Sequence, residues 1–317
     1  MLANFKSLAD FQKAFPDEDA CINHFRAVRW ADMNQWACPH CGVIGKPYLL
    51  GNNTHKCADK ACLKKSSVRS GTIFEDSKIE LRKWFMAIFL MTSHKKGISS
   101  CQLAKDIGVT QKSAWFMLHR VRNATMTREF QTPLTGVVEA DESYVGPNPR
   151  WQHKNKKNPQ LVGMAAAKAK KVVFGMIQRD GELRVHHVKD ARKATLEPIM
   201  RGTIATGSEV HTDEAHVYTW MRSEYAHKIV SHTLGEYVRD GHVTTNRIEG
   251  AFSHFKRTIV GTYHKASDTH LDRYLQMFAY RWNTRTMAES ERMNTLLART
   301  QGRRITYRKL TGKDPIQ

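Results

Sequence analysis

Four of the six cysteines in this 317-residue chain fall within one short window, as Cys38 and Cys41 in CPHCG and Cys57 and Cys62 in CADKAC, with fifteen residues between the pairs. Tetrahedral Zn²⁺ needs four soft ligands delivered by two tight turns, and the intervening stretch is long enough for a small hairpin. Residues 36–75 are rich in Cys, Gly, Lys and Asn and carry no helical stripe. Without a metal staple such a core-poor segment has nothing to hold it together, so the spacing predicts a structural zinc ribbon. The second pair is separated by four residues instead of two, which leaves His40 and His55 as alternative ligands. Cys21 and Cys101 sit in apolar helical contexts and are expected to be buried. Six cysteines are too few for a disulfide scaffold in a chain of this size, which points to a reducing compartment.

Apolar periodicity on either side of this window predicts helices. Leu8, Phe11, Ala14 and Phe15 form one short stripe and Cys21, Phe25 and Val28 another, parted by Pro16. From Lys78 onward, Leu81, Trp84, Phe85, Ile88 and Phe89 make an apolar face. Ser99 or Ser100 then caps a helix carrying Leu103, Ala104 and Ile107; Gly108 allows a tight turn, and Thr110 caps a second helix with Ala114, Met117, Leu118 and Val121. This is a helix-turn-helix pattern. Such a second helix enters a DNA major groove by its N-terminal residues, here Gln111, Lys112 and Ser113, while Arg120 and Arg122 are expected to reach backbone phosphates. The competing reading is an ordinary helical hairpin.

Charge favours DNA. Fifty Lys and Arg against thirty Asp and Glu give a net charge of +20 and a pI near 9.8, which suits a polyanionic partner held through counterion release. The positive charge is clustered: Ser143 to Arg179 holds eight Lys or Arg and no acid, and Ile107 to Arg128 holds no acid either. The run Pro147 to Gln160, with Trp151, Lys154, Lys156 and Lys157, reads as a DNA-contacting loop. A membrane span is excluded at this level, because the longest apolar run, Trp84 to Met91, has eight residues where roughly 20 are needed. Lys6, Asp10 and Lys13 interrupt the N-terminus where a secretory signal would be unbroken and apolar. A cytoplasmic, nucleoid-associated protein with no membrane partner is expected.

Past Gly136 the pattern changes to short strand-like runs, GVVEAD, LVGMAAAKAKKVVFGMIQ, ELRVHHV and GSEVHTD, followed by helical segments at 191–201 and from about 246. Strands followed by helices predict an α/β layered domain. Asp141 and Asp213 each end a strand-like run, and Glu249 lies in the last helix. Such a trio can gather at one sheet edge, where hard oxygen ligands hold two Mg²⁺ or Mn²⁺ ions for phosphodiester chemistry. Lys256, seven residues after Glu249, falls on the same helix face. Asn246 lies one turn before Glu249 and competes with it for the third position; Glu139, Glu142 and Glu214 are further competitors. Tyr144 and Tyr218 read as packing or DNA-stacking groups, and His211, His216, His232 and His242 as structural hydrogen-bonding residues.

These residues carry a resemblance. The segments RWADMNQWACPHCG, ADESYVG, HTDEAHVY and TTNRIEGAFSHFKRTIVGTYHKASDTHLDRYLQMFAYRWNTR resemble the DDE transposases of prokaryotic insertion sequences, in the ISXO-type subgroup that joins a zinc ribbon to a ribonuclease-H-like core. The resemblance implies an α/β fold divided into an N-terminal helical segment (1–35), a zinc ribbon (36–75), a helix-turn-helix module (76–130), a catalytic domain (135–285) and a basic C-terminal segment (286–317). It implies Asp141, Asp213 and Glu249 as the acidic triad, Asn246 as the alternative third residue, and Lys256 as their basic partner. It further implies cleavage and strand transfer at terminal inverted repeats of double-stranded DNA, by a homodimer or larger assembly. Two other functions compete: a catalytically silent DNA-binding protein derived from a transposase, and a metal nuclease without strand transfer.

Overall fold

In the computed structural model, residues 2–51, 53–126, 132–146, 170–231, 238–239 and 241–313 are described. The chain divides into two compact units, Met1–Met126 with Thr284–Gln317, and Thr127–Asn283.

In the first unit, α1 (Leu8–Ala14) starts at a capping box between Ser7 and Asp10, and α2 (Glu18–Arg29) starts where the Asp17 carboxylate accepts from the Ala20 N–H. The zinc-ribbon segment is an antiparallel three-stranded sheet in the order β1 (Tyr48–Leu50), β2 (Thr54–Lys56) and β3 (Lys65–Ser67). Helix α3 (Leu81–Ser93) is apolar nearly all round and correspondingly buried. Its first turn has no cap of its own; the carboxylate of Glu18 accepts from the Leu81 and Arg82 N–H groups at 2.8 and 2.9 Å. Phe5, Phe11, Phe15, Phe85 and Phe89 pack around α3, with Phe11 stacked on Phe89 at 5.0 Å.

Helices α4 (Ser100–Ile107) and α5 (Gln111–Thr125) follow the predicted punctuation. Ser99 and Thr110 are the N-caps, and Gly108 closes α4 at φ +62°, a left-handed conformation that glycine adopts without steric cost.

The second unit is built on a five-stranded sheet in the order β6 (Leu183–Val188), β5 (Lys171–Gln178), β4 (Val137–Val145), β7 (Glu209–Thr212) and β8 (Ala226–Ile229). The β6–β5–β4 pairings are antiparallel and the β4–β7–β8 pairings parallel. This mixed α/β sheet is the ribonuclease-H-like core. Helix α6 (Lys193–Thr203) and a 3₁₀ segment (His216–Ser223) cover one face, where Val138, Ala140, Phe174, Leu196, Met200, Val210 and Tyr218 form a core. Helices α7 (Asn246–Thr258) and α8 (Asp268–Asn283) supply a second core with Val173, Ile177, Val185, Ile248, Phe252, Phe255 and Leu275. Strand alternation along β4 therefore sends Val138 and Ala140 to the first core and leaves Glu139 and Asp141 on the other face.

The remaining chain rejoins the first unit through α9 (Glu289–Ala298) and α10 (Tyr307–Leu310). Within the expected basic segment at 286–317, Met293, Leu296, Leu297, Ile305 and Leu310 are buried. The expected boundaries at 35 and 75 likewise fall inside one compact unit. Strand β8 has no counterpart in the sequence reading.

Candidate active site

Asp141 stands on the central strand β4, and β7 runs parallel beside it with Glu139 opposite His211. Continuing that register brings Asp213, one residue past the end of β7, level with Asp141. Glu249 arrives from the first turn of α7. Its approach depends on Gly175, which pairs with Asp141 across the β4–β5 ladder. A Cβ at Gly175 would meet Ile248 Cδ1 and Phe252 Cζ, each at 2.8 Å, so these two side chains of α7 fill the space where another side chain would stand.

The N-terminus of α7 is held by the sheet. Its N-cap, Thr245, makes no side-chain capping bond; instead Glu139, fully buried on β4, accepts from the Arg247 and Ile248 N–H groups at 2.9 and 3.2 Å. The other Glu139 oxygen accepts from Arg179 at 3.1 Å, and Arg179 also donates to the carbonyl of His242. His211, also buried, bonds Glu209 at 2.7 Å and reaches the backbone of Thr244 at 3.3 Å. Glu139 was visible as an acid on the face of Asp141, but its capping role was not; its only sequence signal was a glutamate in an otherwise apolar strand.

Each acid is oriented locally. Asp141 Oδ1 accepts from the Glu142 N–H at 2.7 Å, Asp213 Oδ1 from the Ala215 N–H at 3.1 Å, and Glu249 Oε1 from the Thr245 hydroxyl at 2.8 Å. Burial, followed by the charges of Glu142, Asp213 and Glu249, pushes Asp141 up to about 7 against the opposing Glu142 N–H. Burial and the charge of Asp213 push Glu142 to about 7 as well, with Tyr218 opposing. Asn246 and Lys256 are both exposed, at the first and last turns of α7. Tyr218 is fully buried in the α6-side core, whereas Tyr144 is exposed.

The four cysteines come together. Cys38 Sγ lies 3.8 Å from Cys62 Sγ, and Cys41 Sγ lies 3.7 Å from Cys57 Sγ; the edge of a tetrahedron built on Zn–S bonds of about 2.3 Å is about 3.8 Å. Gly42 turns the first knuckle at φ +76°. The longer second spacing is absorbed by a turn in which the Asp59 carbonyl accepts from Cys62 and Leu63, and its carboxylate from Ala61. Burial would raise Cys38, but the N–H groups of Cys41 and His40 bring it down to about 7. The histidine alternatives do not hold. His40 meets the Lys65 carbonyl at 3.1 Å, and His55 is buried between Trp30 and Trp36.

The helix-turn-helix residues divide. Gln111 and Lys112 are exposed at the start of α5, and Ser113 is half-buried. Arg120 and Arg122 are 5% and 1% exposed, which removes them as phosphate contacts. The Arg120 guanidinium donates to the carbonyls of Ile305, Ile73 and Glu75. Cys101, expected to be buried, is exposed. Trp151, Lys154, Lys156, Lys157 and His232 lie outside the described residues. No helix among the described residues is long and apolar enough to cross a membrane.

A ribonuclease-H-like core with an acidic strand edge, together with a four-cysteine ribbon, defines a recognisable class. Residues 133–283 match the ISXO2-like transposase domain, and residues 16–65 match the transposase zinc-ribbon domain. The chain thus matches the ISXO2-like transposases that carry an N-terminal zinc ribbon. It is 27% identical over 298 residues to an uncharacterized protein in transposable element ISH50 of Halobacterium salinarum, covering 90% of this chain and 97% of that protein. A chain of the simian T-cell lymphotropic virus intasome in complex with PP2A regulatory subunit B56 gamma aligns over 56% of this chain and 63% of that one, at 14% identity and a TM-score of 0.26; so distant a likeness carries no argument.

Proposed function

We propose that the protein binds the terminal inverted repeats of its insertion sequence and catalyses divalent-metal-dependent strand cleavage and strand transfer. What supports this reading is that Asp141 on β4, Asp213 just past β7 and Glu249 in the first turn of α7 lie near enough for the charges of the latter two, behind burial and Glu142, to raise the Asp141 pKa. Crowded hard-oxygen donors suit Mg²⁺ or Mn²⁺, and a cation would relieve their repulsion. Asp141, Asp213 and either Glu249 or Asn246 would hold the ions. A pair of bound cations supplies activation of the attacking oxygen and charge stabilisation of the leaving oxygen.

The chain's own groups do the positioning. The Glu142 N–H and the Thr245 hydroxyl fix the carboxylates of Asp141 and Glu249, and Glu139 fixes the helix that carries the latter. Lys256, exposed two turns along α7, neutralises a substrate phosphate. In cleavage the oxygen of water attacks phosphorus and the 3′ oxygen departs with a proton. In transfer that 3′-hydroxyl gives up its proton and attacks a target phosphorus, the target strand's own 3′ oxygen departs with a proton, and so no protein–DNA bond forms and neither tyrosine is consumed. A homodimer or larger assembly would hold the paired ends.

The test is incubation of the full chain with a labelled duplex spanning an element end and its flank, with Mg²⁺, with Mn²⁺ and without either. Cleavage at the end and joined products only with metal support the reading; tight binding with no cleavage in either metal would favour a silent DNA-binding protein.

A further inference from the structure

We infer that α10 and the N-terminal end of α5 form one contact surface for duplex DNA, with Lys309 and Lys313 supplying phosphate contacts beside Lys112. The inference rests on the DNA-binding reading above. Burial of Arg120 and Arg122 leaves α5 with surface only at its start, where Gln111 and Lys112 are exposed. A helix that meets a groove by its first turn needs flanking cations to grip the adjacent backbone.

The C-terminal segment brings them. Tyr307, in the first residue of α10, packs edge-on against Phe116 at 5.5 Å and Trp115 at 6.3 Å, and Lys112 Nζ lies 5.0 Å from the centre of the Tyr307 ring. Leu310 is buried, and the Thr306 hydroxyl caps the short helix by accepting from the Lys309 N–H. Arg308, Lys309 and Lys313 face solvent. Between Glu291 and Asp314 the sequence holds seven Lys or Arg and no acid. Arg304 is engaged with Glu75 and Asp76, which makes Lys309 and Lys313 the cleaner probes of this surface. The exposed cations Lys112, Lys309 and Lys313 beside an exposed helix start fit a phosphate backbone.

The experiment compares the full-length wild type with a Lys309→Gln/Lys313→Gln double variant and with Tyr307→Ala, by fluorescence anisotropy on a random-sequence duplex and an element-end duplex across a salt series. Each phosphate contact contributes about 0.9 to the slope of log affinity against log salt, so the double variant is expected to lose about 2 on both duplexes. Zinc content and thermal midpoint should match wild type for that variant. Tyr307→Ala, which keeps the charges but releases their anchor, should weaken binding in the same direction. An unchanged slope in the double variant, with wild type binding normally, overturns the inference and leaves the DNA-binding reading standing. Failure of wild type to bind either duplex overturns both.

Discussion

Asp141 and Gly175 face one another across the β4–β5 ladder, and the space above Gly175 is occupied by Ile248 and Phe252 of the helix that carries Glu249. The missing side chain thus sets how closely Glu249 approaches Asp141. Gly175→Ala should push α7 outward. Overpacking of this kind costs roughly 1–3 kcal/mol, so the urea midpoint should fall and strand cleavage should fall with it. Pairing Gly175→Ala with Phe252→Leu should restore part of both; wild-type cleavage by the single variant would sink this account of the spacing.

Glu139 is the second device. Glu139→Ala removes the acceptor for two α7 N–H groups and strips Arg179 of its partner. Loss of a buried pair together with a helix cap should cost on the order of 3 kcal/mol. Glu139→Gln keeps an oxygen acceptor for the helix and should cost less. Equal urea midpoints for wild type and Glu139→Ala would show that the helix is held by other contacts.

Burial of Asp141, with the charges of the acids around it, makes stability depend on pH. Asp141 titrates at about 7 in the folded chain against an ordinary 3.8, so the folded state binds more protons than the unfolded state between those values. Stability therefore falls as pH rises through that window and is lowest above it. In buffer without added divalent ions, Asp141→Asn should melt higher than wild type at pH 8 and no higher at pH 4. Added Mn²⁺ should raise the wild-type melting temperature and leave the variant unchanged. A variant that melts lower than wild type at pH 8 would contradict a cost of holding the Asp141 charge in the folded chain.

One Zn²⁺ per chain is expected from the four-thiol cluster. Cys57→Ala or strong chelation should release it and unfold residues around the ribbon, since structural zinc contributes on the order of 10 kcal/mol of binding free energy to such segments. Metal analysis and limited proteolysis check this together; a chelated chain with an uncut ribbon would show that the fold needs no metal.

Local signals were legible in the sequence and long-range ones were not. The CPHCG and CADKAC spacings identified all four clustered cysteines, because each pair is a local turn. Ser99, Gly108 and Thr110 marked the ends of their helices for the same reason. Arg120 and Arg122 looked like surface cations because helical periodicity says nothing about what covers a face. The groups that cover Arg120 come from Ile73, Glu75 and Ile305, far away along the chain. The C-terminal segment read only as basic because its charges outnumber the apolar anchors Ile305 and Leu310, whose burial depends on distant parts of the chain. Glu139 looked like one acid among several until the N–H groups of a helix more than a hundred residues away were seen to point at it.

The central claim is that the edge occupied by Asp141, Asp213 and Glu249 performs the chemistry. The most direct measurement is strand cleavage and transfer on a labelled element end in Mn²⁺ by wild type, Asp141→Asn, Glu249→Gln and Asn246→Ala, with DNA binding measured alongside. The account predicts that Asp141→Asn binds DNA as wild type does and neither cleaves nor joins, while whichever of Glu249→Gln and Asn246→Ala shares that defect identifies the third ligand. Cleavage by Asp141→Asn at the wild-type rate would contradict it.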